Sequence, residues 1–467
     1  MAAPGTENHP LRIAIIGAGP AAFYAADHML KQQDLHVEID MFDRLPTPFG
    51  LVRGGVAPDH QSIKNVTRVY HKTASRPGFR FFGNVCFGSD VTRADLQRHY
   101  HQIFYATGAQ TDRSLGIPGE DLHGSHSATE FVAWYNGHPD YRHLEFDLSA
   151  KSVVVIGVGN VAVDVARILC RTPEELAATD IADHALEKLR ESQVREVHML
   201  GRRGPVQAAF TPPEAKELGM LEGADAIVRP EEAALDPLSE EVLASAGRRI
   251  RRNVEIVQEI AERDPSGKEK RLHIRFLVSP TEIIGDETGR VSSIRVVHNE
   301  LHLSENGRLR PRATERFETI SAGLIFRSVG YQGVPLADVP FDEQWNVIPN
   351  EKGRVVNPAT RKHVIGEYAG GWIKRGPSGV IGTNKADSVE TATCMLEDVR
   401  NGILLSPEAP SAEEAERMIC TRCPDYFSYE DWMRLDELET ARGKETGRPR
   451  VKFTSADAMR KALENAA

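Results

Sequence analysis

The chain has 467 residues, 40% hydrophobic and 27% charged, with a formal net charge of −10. That length predicts two or three domains of roughly 100–200 residues each; the aliphatic and aromatic content excludes a disordered polymer, and no apolar run approaches the ~20 residues of a membrane span. The acidic balance argues against nucleic-acid binding through the overall field.

The elements alternate between short β-branched runs and longer helical stretches, the pattern of an α/β protein with parallel sheet. Leu11–Ile16 (LRIAII) reads as a buried strand, followed by a Gly-rich turn and an amphipathic helix from Ala21 to Gln32. Val37–Phe42 is a second strand and Ile103–Ala106 a third. The plan then repeats: Ser152–Ile156 (SVVVI), a second Gly-rich turn, a helix from Val161 to Cys170, and the strand Glu196–Leu200. Residues 229–267 are charged and predicted helical; 271–328 alternate apolar and polar as antiparallel strands do, with Leu324–Val329 closing the unit. A Gly-rich segment, Val364–Asn384, precedes a helix over Lys385–Val399, and beyond Pro407 the tail shows no strong periodicity.

The first turn is GAGPAA, Gly17 to Ala22. Between a strand and a helix, Gly17 allows the tight turn, Gly19 lets backbone approach a pyrophosphate, and Ala22 permits close helix–sheet packing. The helix N-terminus adds oriented N–H groups and a positive partial charge. Asp43 stands at the end of the second strand, where a carboxylate can accept from ribose hydroxyls. The second turn is GVGNVA, with Gly157, Gly159, Asn160, Val161 and Ala162, but its following strand ends in Gly201-Arg202-Arg203. A carboxylate there would repel a 2′-phosphate, whereas two guanidinium groups can grip one. An acid-tipped site and an arginine-tipped site in one chain pair naturally as bound FAD and transient NADPH. A flavin takes two electrons together and releases them singly.

GLVRGGVAPDH (Gly50–His60), YATGAQTDR (Tyr105–Arg113), GRRGPVQAAFT (Gly201–Thr211) and GWIKRGPSGVIGTNK (Gly371–Lys385) resemble blocks of the adrenodoxin reductase-type ferredoxin–NADP+ reductases, most closely their bacterial branch. The resemblance runs from about residue 11 to 400 and more weakly to the end. It implies two doubly wound Rossmann-like dinucleotide-binding domains, the FAD domain discontinuous (1–111 and 328–467) and the NADP domain inserted as 112–327. For FAD it implies Ala21, Asp43, Leu51, Val85, Trp372, Gly379, Val380 and Ile381; relatives commonly carry Glu where this chain has Asp43. For NADP it implies Asn160, Val161, Ala162, Arg202, Arg203, Glu214 and again Gly379. The implied activity is hydride transfer from NADPH to FAD and then single-electron transfer to a ferredoxin.

The same resemblance places His60 and Glu217 together near the nicotinamide as an ion pair with a tuning or positioning role. By sequence alone, a His after Pro58-Asp59 also fits a turn, and Glu217 a solvated helix face. Arg248, Arg249, Arg251 and Arg252 form the densest basic run in an acidic chain; they fit a solvated helix face or, by the resemblance, a docking surface for an acidic ferredoxin. Five cysteines (Cys86, Cys170, Cys394, Cys420, Cys423) are too few for a disulfide scaffold in a chain this long. The start, MAAPGTENHP, has neither a basic n-region nor an apolar core, so a reducing, cytoplasmic setting is expected. Cys420 and Cys423 form a CxxC outside any metal-ligand pattern, and no metal site is expected. They keep open one rival, an NADPH-dependent flavin enzyme that reduces a disulfide or small molecule.

Overall fold

The computed structural model describes residues 4–466. Two sheets dominate. The first has seven strands in the order Asn350–Glu351, Arg354–Val356, His363–Ala369, Gln102–Tyr105, Leu11–Ile16, Val37–Asp43, Phe79–Gly83. The last five run parallel, and the first two form an antiparallel edge. Leu11–Ile16 is buried at every position, as a strand covered on both faces must be. Ile13 and Ile15 pack under the helix Pro20–Leu30, the long helix Thr383–Arg400 and the tail helix Tyr429–Glu445. Ala14 and Ile16 face the opposite way, onto a cluster with Tyr100, Ile103 and Ile419.

The second sheet has six parallel strands in the order Ser125–Ser127, Leu324–Arg327, Ser152–Ile156, Glu196–Leu200, Lys270–Arg275, Ala224–Val228. Helices cover one face, burying Val153, Val155, Val197 and Met199. A three-stranded antiparallel sheet, Val278–Gly285, Val291–Leu303 and Leu309–Ser321, takes the place of helices on the other, packing on Val154, Ile156 and Ile325. The alternation over 271–328 is thus antiparallel only from Val278 to Ser321; Lys270–Arg275 lies inside the parallel sheet. The first sheet draws on two separate stretches of chain, with the second sheet built entirely between them. Where the chain crosses, Thr111–Asp112 pairs with Tyr331–Gln332.

The charged stretch 229–267 holds three helices, Pro230–Ala233, Pro237–Ser245 and Arg248–Ala261. The tail is also ordered, as Ala412–Arg422, Tyr429–Glu445 and Ala456–Asn465. Trp432 and Leu435 are buried against the first unit. Residues beyond the second tail helix reach the other unit: Arg448 pairs with Asp183 at 2.6 Å, and the Lys452 ammonium donates to Asn136 Oδ1 at 3.2 Å. Among the described residues no helix is long and apolar enough to cross a membrane.

Candidate functional site

The two parallel sheets direct the carboxyl ends of their strands at two glycine turns, the ends where open α/β sheets bind ligands. At the first turn Gly17 has φ +98°, and a Cβ there would lie 2.6 Å from the Ala106 carbonyl oxygen. Gly19 opens onto free space. It starts the helix Pro20–Leu30 with no side-chain cap, leaving the helix's first N–H groups available to an anion. Asp43 accepts from the Ala18 N–H at 2.8 Å and the Leu45 N–H at 2.9 Å, one to each oxygen. Each oxygen keeps a lone pair for a hydroxyl donor. Burial raises the Asp43 pKa against the pull of those two N–H groups.

The other residues of this site converge on the same turn. The Phe49 N–H donates to the Ala18 carbonyl at 2.8 Å, placing the short helix Leu51–Gly54 beside it with Leu51 exposed. The Val85 N–H donates to the Asp43 carbonyl at 2.9 Å. Gly371, at φ +74°, lies so near the first helix that a Cβ would come 2.7 Å from that of Ala21. Trp372 follows; its indole N–H donates to the Ser378 carbonyl at 3.2 Å, and its ring leans on Tyr331. Gly379, Val380 and Ile381 lead into the helix Thr383–Arg400, and the Val380 N–H donates to Thr383 Oγ1 at 3.1 Å. Val380 is exposed, whereas Ile381 packs on the core.

At the second turn Gly157 donates to the Leu200 carbonyl at 2.9 Å, and Gly159 begins the helix Asn160–Cys170, again without a side-chain cap. Val161 and Ala162 occupy its first turn. Asn160 Oδ1 accepts from the Thr211 N–H at 3.0 Å, and its amide lies 3.4 Å from Glu214 Oε1. Glu214 Oε2 is buried without a partner, an acceptor left for a hydroxyl or amide donor. Arg202 is exposed and Arg203 half-buried. Neither has a carboxylate within ion-pair distance among the described residues, whereas most arginines of this chain do. Burial and the neighbouring Arg202 and Arg310 push the Arg203 pKa down. Two adjacent cations without counter-charge suit an anionic ligand.

His60 and Glu217, 157 residues apart in the chain, meet side chain to side chain. His60 Nε2 lies 2.9 Å from Glu217 Oε2, and His60 Nδ1 lies 3.9 Å from Asp164. Burial lowers the His60 pKa, but the Glu217 hydrogen bond and the nearby carboxylates of Asp164 and Asp59 together outweigh it, and the net shift is upward. The same contact, with Arg167, carries Glu217 below its ordinary value despite burial.

Sequence reasoning missed what surrounds this pair. Arg167 is 0% exposed and bonds Asp59 at 2.7 and 3.0 Å and Asp164 at 2.8 Å; it also lies 3.1 Å from Glu217. Arg171 adds a second cation on Asp59, at 2.7 Å. Burial raises Asp164 to about 6 against the attraction of Arg167 and His60. A signal was present: Asp164 and Arg167 are the only charges in an otherwise apolar helix, VAVDVARILC.

Two other groups are set apart. Arg252 is bound to Glu255 and Glu259 at 2.9 and 3.0 Å, and Arg251 donates to the Ala244 carbonyl, while Arg248 and Arg249 are exposed. Cys423 is buried, and burial with Asp90 and Asp425 pushes its pKa up to about 11; Cys420 is exposed. Among the described residues, Glu196, His198 and His273 alone have the spacing to hold a cation, but Arg271 and His273 engage both Glu196 oxygens.

Comparison with known proteins agrees with this geometry. A family model described as pyridine nucleotide-disulphide oxidoreductase matches residues 11–371. The NADPH-ferredoxin reductase FprA of Mycobacterium leprae is 46% identical over 453 residues, covering 96% of this chain and 97% of that protein. The mitochondrial NADPH:adrenodoxin oxidoreductase of Arabidopsis thaliana is 38% identical over 470 residues, covering 98% and 96%. The solved structure of Mycobacterium tuberculosis FprA in complex with NADPH superposes with a TM-score of 0.90 at 45% identity, covering 97% of this chain and 100% of that one.

Proposed function

The chain belongs to the adrenodoxin reductase-type ferredoxin–NADP+ reductases within the pyridine nucleotide-disulphide oxidoreductases, and we propose that it carries electrons from NADPH to a ferredoxin through bound FAD. The observation that carries this reading is the opposite polarity of the two turns. Asp43 lies beneath the first, and Arg202 and Arg203, without a carboxylate partner among the described residues, lie beyond the second.

FAD belongs to the first site. Gly17, Gly19 and Ala21 offer the open helix end to its pyrophosphate, and Asp43 offers its free lone pairs to the ribose. With FAD bound, Leu51, Val85, Trp372, Gly379, Val380 and Ile381 would hold its flavin end. Bound there, the flavin supplies conversion between paired and single electrons. NADP belongs to the second site. Gly157, Gly159, Val161 and Ala162 offer the helix end to the pyrophosphate, Arg202 and Arg203 grip the 2′-phosphate, and Asn160 and Glu214 lie alongside. We divide the chain accordingly at 1–111, 112–327 and 328–467; support comes from the pairing of Asp112 with Tyr331 at the crossing.

His60 and Glu217 position the site. Glu217 favours a proton on the His60 ring, and Arg167 holds Glu217, Asp164 and Asp59 in one network. That network fixes the two units relative to each other, and in hydride transfer such geometry contributes most. The partner docks at the basic run, where Arg248, Arg249 and Arg251 contribute net positive charge and Arg252 is neutralised by its carboxylate partners. A reducing, cytoplasmic setting fits five free thiols. The disulfide-reductase alternative is disfavoured because Cys423 is buried with a raised pKa, and the thiolate is the reactive form.

The test is anaerobic stopped-flow spectroscopy. The purified protein is expected to be yellow, to bleach with NADPH faster than with NADH, and to regain its colour on mixing with oxidised ferredoxin. A colourless protein that takes up no added FAD overturns the proposal.

A further inference from the structure

The turn bearing Arg202 and Arg203 is held from behind by chain that lies outside the nucleotide motif. All three of its carbonyls are engaged. The Gly201 carbonyl accepts from the Val278 N–H at 3.0 Å, and the Arg203 carbonyl from the Leu277 N–H at 3.2 Å. The middle carbonyl, that of Arg202, has no backbone partner and accepts instead from the Asn299 side-chain amide at 2.9 Å. The second amide hydrogen of Asn299 goes to Ser279 Oγ at 2.8 Å, and its backbone N–H to the Leu277 carbonyl at 2.7 Å.

Asn299 lies beside an irregularity in the pairing. It lies within the antiparallel strand Val291–Leu303, where the pairing jumps from Val297 opposite Phe317 to Asn299 opposite Ala313. The extra residues, Thr314 to Arg316, lie on the partner strand Leu309–Ser321, so the bend falls on that strand. Leu277, opposite, adopts φ +57°, a left-handed conformation rare for a branched side chain. A buried amide and a strained leucine thus act on one three-residue tip. That tip carries two like charges side by side, which repel each other until an anion arrives. A mobile tip would let them separate, and the ligand would have to draw them together. A pinned tip keeps them in place beforehand.

We propose that Asn299 is a positioning residue for nucleotide specificity: by holding the Arg202 carbonyl it keeps both guanidinium groups set for a 2′-phosphate. The proposal rests on the reading of Arg202 and Arg203 as the 2′-phosphate grip, and the experiment separates the two.

The holoprotein is titrated with 2′,5′-ADP and with 5′-AMP by calorimetry, in competition mode for the weaker nucleotide. Asn299→Ala is expected to weaken 2′,5′-ADP by about fivefold to tenfold, the size of one hydrogen bond's net contribution, and 5′-AMP by less than twofold. Asn299→Asp keeps the shape but loses the donor and adds a negative charge, so it is expected to lose at least as much; it carries the test if the alanine variant does not fold. Equal losses for both nucleotides would mean a purely structural role and overturn the proposal, as would an unchanged ratio in both Asn299 variants while Arg202→Ala lowers it. If Arg202→Ala itself leaves the ratio unchanged, the phosphate-grip reading fails first and the proposal falls with it.

Discussion

Arg167 and Asp59 form a two-point ion pair between the units, with Nε and Nη2 of the arginine 2.7 and 3.0 Å from the two carboxylate oxygens. Asp59 follows the first unit's GLVRGGVAP block, and Arg167 lies on the helix that opens from the second glycine turn. Against burial, the Arg167 hydrogen bonds hold Asp59 far below the usual carboxylate range. Removing one partner of a buried pair leaves an uncompensated charge, which costs ~3–5 kcal/mol. Arg167→Met is therefore expected to lower the holoprotein's stability by about that amount, since Arg171 still reaches Asp59 while Asp164 loses its 2.8 Å arginine contact. Denaturant unfolding followed by flavin fluorescence measures it. A loss under about 1 kcal/mol would show that the network relaxes and does not bind the units.

The His60–Glu217 pair gives a pH signature whose sign follows from the two shifts. His60 has a raised folded pKa, so its contribution is complete below its unfolded value of about 6.5 and fades as pH rises through the folded one. Glu217 has a lowered folded pKa, so its contribution is present above about 4.3 and is lost as pH falls through the folded value. The pair is thus strongest at mildly acid pH. The melting-temperature difference between the protein and His60→Gln is expected to be largest near pH 5–6 and to shrink toward pH 8–9. A difference independent of pH would rule out the ion pair in solution.

Both glycine turns, the strands that feed them and the Arg202–Arg203 tip were legible in the sequence because each depends on neighbours a few residues apart. The network around Arg167 was not, since Asp59 and Arg167 are joined only by the fold. The tail's helices were not legible for a different reason. Its helix Tyr429–Glu445 buries Glu439 completely, where Arg53 pairs with it at 2.6 Å and Arg450 at 3.2 Å. A charged residue on the buried face erases the apolar periodicity on which sequence reading depends. Lys270–Arg275 is a similar case: His273 bonds Glu196 and Arg275 bonds Glu232 and Glu318, so a parallel strand alternates as an antiparallel one would.

Gly371 offers a test of the FAD site that does not involve turnover. Its φ of +74° suits glycine, and a methyl group would press on Ala21 at the start of the first helix. Gly371→Ala combines backbone strain of ~1–3 kcal/mol with a displaced helix end. The variant is expected to purify with less flavin per chain, read from the ratio of visible to protein absorbance. Full occupancy would mean that the contact with Ala21 does not shape the site.

Arg202→Ala removes one of two charge-assisted contacts to the 2′-phosphate, each contributing ~1.5–3 kcal/mol. The preference for NADPH over NADH, taken as the ratio of kcat/KM values, is expected to fall about tenfold or more, almost wholly through the NADPH constant. An equal fall for both coenzymes would point to damage at the pyrophosphate end instead.

The basic run makes two predictions of opposite sign for one variant. Arg248 and Arg249 occupy the first turn of the helix Arg248–Ala261, whose first turn holds no acidic residue and whose Gly247 cap makes no side-chain bond. Cations at that end oppose the helix dipole, so Arg248→Glu with Arg249→Glu is expected to stabilise the helix by ~0.3–1 kcal/mol per site. If these arginines dock an acidic ferredoxin, the same variant slows association by about tenfold at low ionic strength and flattens its salt dependence, because steering charges act chiefly on the on-rate. Stopped-flow ferredoxin reduction at several salt concentrations, beside a melting curve, reads both effects. A more stable protein with unaltered association at every salt concentration would leave these residues as a solvated helix face and move the docking site elsewhere.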